Sequence, residues 1–137
     1  MAELAERQHG VVSGRQLAKL GYSDDTVWRE ATSGRLHRLH RDVYAVGHGA
    51  VSRQGQALAA VLTAGDGTLL SHRSAAWLWG LTARWQQPVE VTAASSRRNR
   101  PGIRLHSVRA LTPDDRSSVE GIPVTAIPRT LLDFAAV

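Results

Sequence analysis

Residues 35–41 hold three arginines and two histidines within seven positions, a density of cationic groups that suits contact with a polyanion. An arginine guanidinium carries several N–H donors in a fixed plane and binds phosphate through paired hydrogen bonds. We therefore interpret Arg35, His37, Arg38 and Arg41 as candidate contacts to nucleic-acid phosphates, with one cation able to enter a minor groove. The alternative is a solvated face on an arginine-rich protein.

Two secondary structures fit this basic stretch. Its apolar residues are three, four and three apart, as on one face of an α-helix: Leu36, Leu39, Val43 and Val46. A hairpin is favoured by the bracketing Gly34 and Gly47, by the β-prone residues 43–46, and by Asp42, which tolerates a left-handed backbone in a tight turn. On strands the basic side chains would alternate, with Arg35, His37 and Arg41 on one side and Arg38 and His40 on the other.

Three short helices are predicted before the basic stretch. Residues 1–8 have helical composition, Ser13 caps a second helix that ends at Gly21, and Ser23 caps a third that ends before Gly34. Three such helices followed by a hairpin are the order of a winged helix-turn-helix, in which the third helix enters the major groove and the hairpin is the wing. This order adds four candidate DNA contacts on the third helix: Ser23, Asp25, Thr26 and Arg29.

The pattern changes after residue 49 to alternating helices and strands. Helices are predicted from Ser52, from Ser71 and from Pro128, and strands at 68–70, 89–92, 103–106 and 121–125. The last of these strands is expected at a sheet edge because Pro123 cannot donate to a ladder. The predicted fold class is α+β, with a winged helix-turn-helix at 1–48 followed by a small α/β domain at 49–137 whose sheet is mixed or antiparallel.

Composition limits the classes of function. Seventeen Lys plus Arg against twelve Asp plus Glu give a formal net charge of +5, and there is no cysteine. Disulfides, thiolate metal sites and a cysteine nucleophile are therefore excluded. The N-terminus is charged and no apolar run is long enough to span a bilayer, so we expect a cytoplasmic protein without membrane contact.

A second basic region follows residue 91. No acidic residue occurs between Val91 and Pro113, whereas five arginines do: Arg97, Arg98, Arg100, Arg104 and Arg109. A patch of one sign attracts either the DNA backbone or an acidic protein surface. We treat it as a candidate surface for a partner or for additional DNA, with a mobile basic turn as the alternative.

Histidine and serine in this sequence do not indicate catalysis or a cofactor. His37 and His40 are three apart, so they would face opposite sides of a strand, and no acid or cysteine completes a metal site there. His72 lies beside Ser71, but no glycine-framed nucleophile elbow surrounds them. Asp133 is interpreted as a structural acid. We predict no catalytic residue, no metal and no cofactor.

The order of motifs resembles the AbiEi-type antitoxin family of prokaryotic type IV toxin–antitoxin systems. The most specific segments are SHRSAA at residues 71–76 and IPVTAIPRTLLD at residues 122–133, and the wing-like GRLHR…VY adds to them. The resemblance implies a winged helix joined to an α/β antitoxin domain. Two features depart from the family pattern: Asp42 stands where members commonly have glycine before the Val-Tyr of the wing, and the third helix opens with Asp24 and Asp25.

The resemblance also implies a function. It predicts a non-enzymatic repressor that binds promoter DNA and neutralises a nucleotidyltransferase toxin. One alternative is the DNA-binding N-terminal portion of a restriction-endonuclease-like protein, although these residues do not supply the acid-acid-lysine set of such a nuclease. A second alternative is an interaction domain whose basic patches meet an acidic protein.

Overall fold

A computed structural model describes residues 1–94 and 99–135, and the chain divides into two compact units, Met1–Thr63 and Ala64–Val137. Each unit contains helices and its own β-sheet. The predicted α+β class is therefore confirmed.

The first unit has the element order of a winged helix-turn-helix. Its elements are α1 (Ala2–Arg7), β1 (Val11–Ser13), α2 (Gly14–Lys19), α3 (Asp24–Thr32), β2 (Leu36–His40), β3 (Val43–Val46) and α4 (Arg53–Ala64). Strand β3 pairs antiparallel with both β1 and β2, so the sheet order is β1-β3-β2. The basic stretch is thus a hairpin, and the helical spacing of its apolar residues does not describe its structure.

Serine side chains cap both helices of the helix-turn-helix pair. The Ser13 hydroxyl accepts from the Gln16 N–H at 3.1 Å, and the Gln16 side chain accepts from the Ser13 N–H at 2.9 Å, which forms a capping box. Ser23 caps α3 by accepting from the Thr26 N–H at 3.2 Å. Both caps lie at the positions predicted from the sequence.

The core of the first unit leaves one side of α3 uncovered. The cluster of buried residues under α3 contains Ala5, Val12, Leu17 and Leu36, and Val11, Val43 and Ala45 of the same sheet are buried as well. Helix α3 packs against it through the partly buried Val27 and Ala31, and none of its own residues is fully buried. The opposite side of α3 therefore faces solvent along the whole helix.

The first unit extends beyond the boundary expected from the sequence. The sequence pattern predicted domains at 1–48 and 49–137, yet residues up to Thr63 belong to the first unit. Helix α4 contacts this unit at both ends: a Cβ on Gly55 would stand 2.8 Å from the His9 carbonyl oxygen, and the Thr63 hydroxyl donates to the Arg41 carbonyl at 2.7 Å. These contacts explain why the predicted boundary lies inside the unit.

The second unit is built on a mixed five-stranded sheet. Its elements are β4 (Leu69–Leu70), α5 (His72–Leu78), β5 (Val89–Ala93), β6 (Ile103–Ser107), a 3-10 turn (Pro113–Asp115), β7 (Arg116–Val119), β8 (Ile122–Thr125) and α6 (Ile127–Ala135). The strand order is β6-β5-β4-β8-β7, with parallel pairs β5–β6 and β4–β8 and antiparallel pairs β4–β5 and β7–β8. Of the two predicted sheet types, the mixed one is present.

Strand β8 is not the edge strand that its proline predicts. It lies between β4 and β7, and β7 forms the edge. The β7–β8 hairpin has a two-residue turn, and Val119 and Ile122, which flank it, form a hydrogen-bonded pair. Hydrogen-bonded and non-hydrogen-bonded pairs alternate along an antiparallel ladder, so the next pair, Ser118–Pro123, has no mutual hydrogen bonds. On the other side, β4 pairs with β8 only at Val124. Pro123 therefore occupies an inner strand without removing a ladder hydrogen bond.

Candidate nucleic-acid interface

Helix α3 and the β2–β3 hairpin line an open cavity of about 400 Å³ in the first unit. Tyr22 and Trp28 contribute from the helix side, and Arg38, Asp42 and Tyr44 contribute from the hairpin. The two elements proposed from the sequence to contact DNA therefore lie side by side. The structure brings the third helix and the wing together on one surface.

The predicted contacts on α3 form a chain of hydrogen bonds along its exposed side. The Thr26 hydroxyl lies 3.0 Å from the Ser23 hydroxyl and accepts from the Arg29 guanidinium at 3.3 Å. Asp25 is exposed in the first turn, where a carboxylate is favoured by the helix dipole. Ser23 and Thr26 thus cap the N-terminus of α3, while the exposed guanidinium of Arg29 has further N–H donors for other contacts.

The Arg35 side chain pairs with a residue of α3 and is not free to extend from the hairpin. Its guanidinium forms a two-point ion pair with Glu30, through Nε to Oε2 and through Nη2 to Oε1 at 3.3 Å. The Arg35 hydrogen bond holds the pKa of Glu30 below its ordinary value, and Glu30 raises the pKa of Arg35. Arg35 therefore braces the end of α3 and is less available for phosphate than the other wing arginines.

A β-bulge changes which basic side chains share a face of the wing. Arg38 lies opposite Tyr44, but His40 lies opposite Val43, so Leu39 is the extra residue. Opposite residues of a pair project to the same face, and His37, opposite Ala45, therefore shares a face with His40. The predicted grouping of Arg38 with His40 is wrong, because strict alternation holds only in an unbulged strand.

Arg38 and Arg41 are the wing cations with open donors. Both side chains are exposed, and within the part of the chain that the structure describes neither guanidinium forms a hydrogen bond or ion pair. The bulge also brings His37 and His40 to one face of the wing, whereas their spacing predicted opposite faces. Among the described residues, however, no three metal-binding side chains come together in a way that could hold an ion.

Asp42 forms the wing turn without glycine. Its φ of 62° lies in the left-handed region that the sequence analysis expected aspartate to tolerate. Its carbonyl accepts from the Gly14 N–H at 2.8 Å and its carboxylate accepts from the Arg15 N–H at 3.3 Å. The turn is therefore attached to the start of α2.

Trp28 is a surface residue of α3 that the sequence analysis did not single out. Its side chain is 68% exposed and lines the cavity beside Arg38. The exposed indole presents a large, flat apolar surface at the cavity. The helical spacing could have predicted this exposure, because Trp28 lies about 100° round the helix from Val27, which packs on the core.

The second basic region is only partly described. Arg97 and Arg98 lie outside the described residues. Arg100 forms an isolated bridge pair with Ile103 at the start of β6, and Arg104 and Arg109 are exposed along and after this edge strand. The described arginines of this region therefore follow one edge of the second sheet.

Ser71 and His72 belong to a buried polar network of the second unit. The Ser71 hydroxyl, which is fully buried, accepts from the Thr92 hydroxyl at 2.7 Å and lies 2.9 Å from His72 Nδ1. Glu90 holds His106 at 3.0 Å, and the two imidazole rings stack with centroids 3.7 Å apart. Burial, followed by the charge of His106, lowers the pKa of His72. A serine without solvent access has a structural role in this network.

The comparison with known families points to the first unit. A family model described as "Transcriptional regulator, AbiEi antitoxin" matches residues 1–47, which run from α1 to the end of the wing. No curated protein matches the chain significantly. None of the helices in the described part of the chain combines the length and apolar character needed to cross a bilayer. The N-terminal segment of this chain is therefore similar to the AbiEi antitoxin family of transcriptional regulators.

Proposed function

We propose that this protein binds double-stranded promoter DNA through α3 and the β2–β3 wing and thereby represses transcription. The observation that carries the proposal is the exposed side of α3 beside the wing, on which the guanidinium groups of Arg38 and Arg41 form no hydrogen bond or ion pair within the described residues. The match of this segment to a transcriptional-regulator family supports it. Winged-helix proteins use this pair of elements to reach the major groove and the adjacent backbone.

Individual residues have different roles in this proposal. Arg29, Arg38 and Arg41 supply phosphate contacts, which set affinity and its dependence on salt. Asp24 and Asp25 repel phosphates near the start of α3, so the helix approaches DNA with its later turns, where Trp28 lies. Asp25 remains able to accept a hydrogen bond from a cytosine amino group.

The proposal requires neither a cofactor nor a catalytic residue. The second unit would neutralise a nucleotidyltransferase toxin, and its basic sheet edge would contact that partner or additional DNA. Arg100, Arg104 and Arg109, together with Arg97 and Arg98, are the residues we assign to that surface. An acidic surface on the toxin would complement them.

A gel-shift titration with the DNA upstream of this protein's own gene tests the DNA-binding proposal. The triple charge reversal of Arg35, Arg38 and Arg41 to Glu should abolish binding, and the affinity of the parent should fall steeply with salt because counterions are released. A matched control reverses Arg7 and Arg53, which are exposed residues of the same unit outside the cavity. Parent-like binding by the triple variant would contradict the wing assignment.

The arrangement of the bound sites reports the number of copies on DNA. Inverted repeats protected one or two helical turns apart indicate a symmetric pair, because half-site spacing mirrors protein symmetry. A single protected site indicates one copy.

A growth assay tests the antitoxin proposal separately. A nucleotidyltransferase toxin encoded in the same operon should arrest growth when expressed alone and should lose that effect when this protein is co-expressed. The triple wing variant should still restore growth if neutralisation resides in the second unit. Loss of rescue by reversal of Arg104 and Arg109, with DNA binding intact, would assign the sheet edge to the toxin.

A further inference from the structure

Helix α6 directs its polar side into the second unit. Thr130 is fully buried, and its hydroxyl lies 2.6 Å from the Thr125 hydroxyl and 3.0 Å from the Ala126 carbonyl oxygen. Asp133 is 9% exposed and binds Arg129 through Oδ1 at 3.0 Å. The side of α6 that packs on the unit is thus held by hydrogen bonds.

The apolar side of α6 faces solvent. Its exposed residues are Ile127 at 39%, Leu131 at 51%, Leu132 at 68% and Phe134 at 42%. Ile127, Leu131 and Phe134 are four and three apart, so they form one continuous face over two turns. A helix normally buries this face, and its exposure within the described part of the chain marks it as a surface for a further contact.

Positive charge borders one end of this apolar face. A cavity of about 290 Å³ next to Phe134 is also lined by Arg73 and Arg84. Arg73 donates to the neutral Gln86 side chain at 3.1 Å, and within residues 1–94 and 99–135 neither guanidinium pairs with a carboxylate. By contrast, Arg129 is neutralised by Asp133 and lies 3.8 Å from Asp115.

We propose that α6 docks an amphipathic helix of another protein, whose apolar side is flanked by acidic residues. The apolar face supplies anchors spaced for helix packing, and Arg73 and Arg84 supply charges that acidic flanks would pair. A second copy of this chain fits less well, because a two-fold contact centred on α6 would bring the arginines of both copies to one interface. The residues of this surface differ from those proposed to contact DNA and from those of the basic edge of the second sheet.

Fluorescence anisotropy with two labelled peptides tests the proposal on the full chain. Both peptides carry the same leucines at helical spacing, one with glutamates and the other with lysines on the flanking positions. The acidic peptide should bind about tenfold or more tightly than the basic one. Leu131→Gln and Arg84→Glu should each weaken binding of the acidic peptide by a similar factor. The first removes an apolar contact, and the second removes a positive charge that pairs with the glutamates.

Matched variants separate this effect from misfolding. Leu20→Gln removes an exposed leucine, 53% exposed, from the first unit, and Arg7→Glu reverses an exposed arginine there; both should bind the acidic peptide as the parent does. Equal binding of the two peptides, or binding unchanged by both test variants, would overturn the proposal. So would a concentration-dependent dimer in light scattering that Leu131→Gln converts to a monomer, because a second copy would then be the occupant.

Discussion

The carboxylate of Asp42 lies directly over the Cα of Gly14, at the junction between the wing turn and the start of α2. A Cβ built on Gly14 would stand 2.1 Å from Asp42 Oδ1, far inside any real contact. Gly14 does not have a positive φ, so glycine matters here for the space that the Asp42 carboxylate occupies, and a larger residue would require that carboxylate to move. The position of the Asp42 side chain in the wing turn therefore depends on the absence of a side chain at residue 14.

We expect Gly14→Ala to destabilise the protein by about 1 kcal/mol, because the new methyl group displaces the Asp42 carboxylate from its hydrogen bond with the Arg15 N–H. The free energy of unfolding, measured by urea titration with circular dichroism, checks this. In an Asp42→Gly background the same substitution should cost much less, since the overlapping oxygen is gone. Equal costs in both backgrounds would show that the two residues are not coupled.

The wing arginines should contribute unequally to DNA affinity. Arg38→Gln should reduce the slope of log affinity against log salt by about one unit, as expected for one lost phosphate contact. Arg35→Gln should reduce it less, because the Arg35 guanidinium already pairs with Glu30. Glu30→Gln should strengthen binding at low salt by releasing Arg35. Equal slopes for the Arg35 and Arg38 variants would mean that DNA displaces Glu30.

Trp28 should affect sequence discrimination more than general affinity. Trp28→Ala should weaken binding to the upstream DNA by about tenfold while binding to unrelated DNA changes little, because base contacts specify and phosphate contacts do not. Its exposed position predicts unchanged stability. Leu20→Ala, at another exposed apolar residue of the first unit, is the matched control. A parallel loss on both DNAs would remove Trp28 from base recognition.

The lowered pKa of His72 predicts an acid-sensitive second unit. The unfolded chain binds a proton near the ordinary pKa of 6.5, whereas the folded chain binds it only at lower pH, so the free energy of unfolding decreases as pH falls below 6.5. The groups facing His72 are His106, whose charge adds to the effect, Glu90 and Asp133, which oppose it, and Arg129, which also disfavours the protonated form.

Urea titrations at about pH 5.5 and about pH 7.5 measure this dependence. In a Trp28→Phe background the remaining tryptophans, all in the second unit, report its unfolding. His72→Asn should reduce the pH dependence, and asparagine tolerates the left-handed backbone at this position, where φ is 53°. An unchanged dependence in that variant would assign the acid sensitivity to other groups.

Local signals in the sequence predicted much of the first unit. Ser13 and Ser23 were identified as caps because a short hydroxyl before a helical pattern satisfies free N–H groups, and both caps are present. The wing was predicted from the order of elements, against the helical spacing of its own apolar residues. That spacing was misleading because the bulge at Leu39 breaks the two-residue period of the strand.

Features that depend on distant parts of the chain could not be predicted. The pairing of Arg35 with Glu30 requires knowledge of where α3 ends relative to β2. The inner position of β8 arises from a hairpin with β7, whose four residues, Arg116–Val119, are mostly polar and gave no strand pattern. The contacts of α4 likewise join residues far apart in the chain.

Helix α4 has a practical consequence for dividing this protein into fragments. The family match stops at residue 47, but the Thr63 hydroxyl supplies a hydrogen bond to the Arg41 carbonyl in the wing turn. A fragment cut at the limit of family similarity would keep the residues of α3 and the wing that are proposed to contact DNA, but it would lose a support of the turn that carries Arg41. The compact unit proposed to bind DNA ends at Thr63, so grafts or fusions designed on family similarity alone would be cut too short.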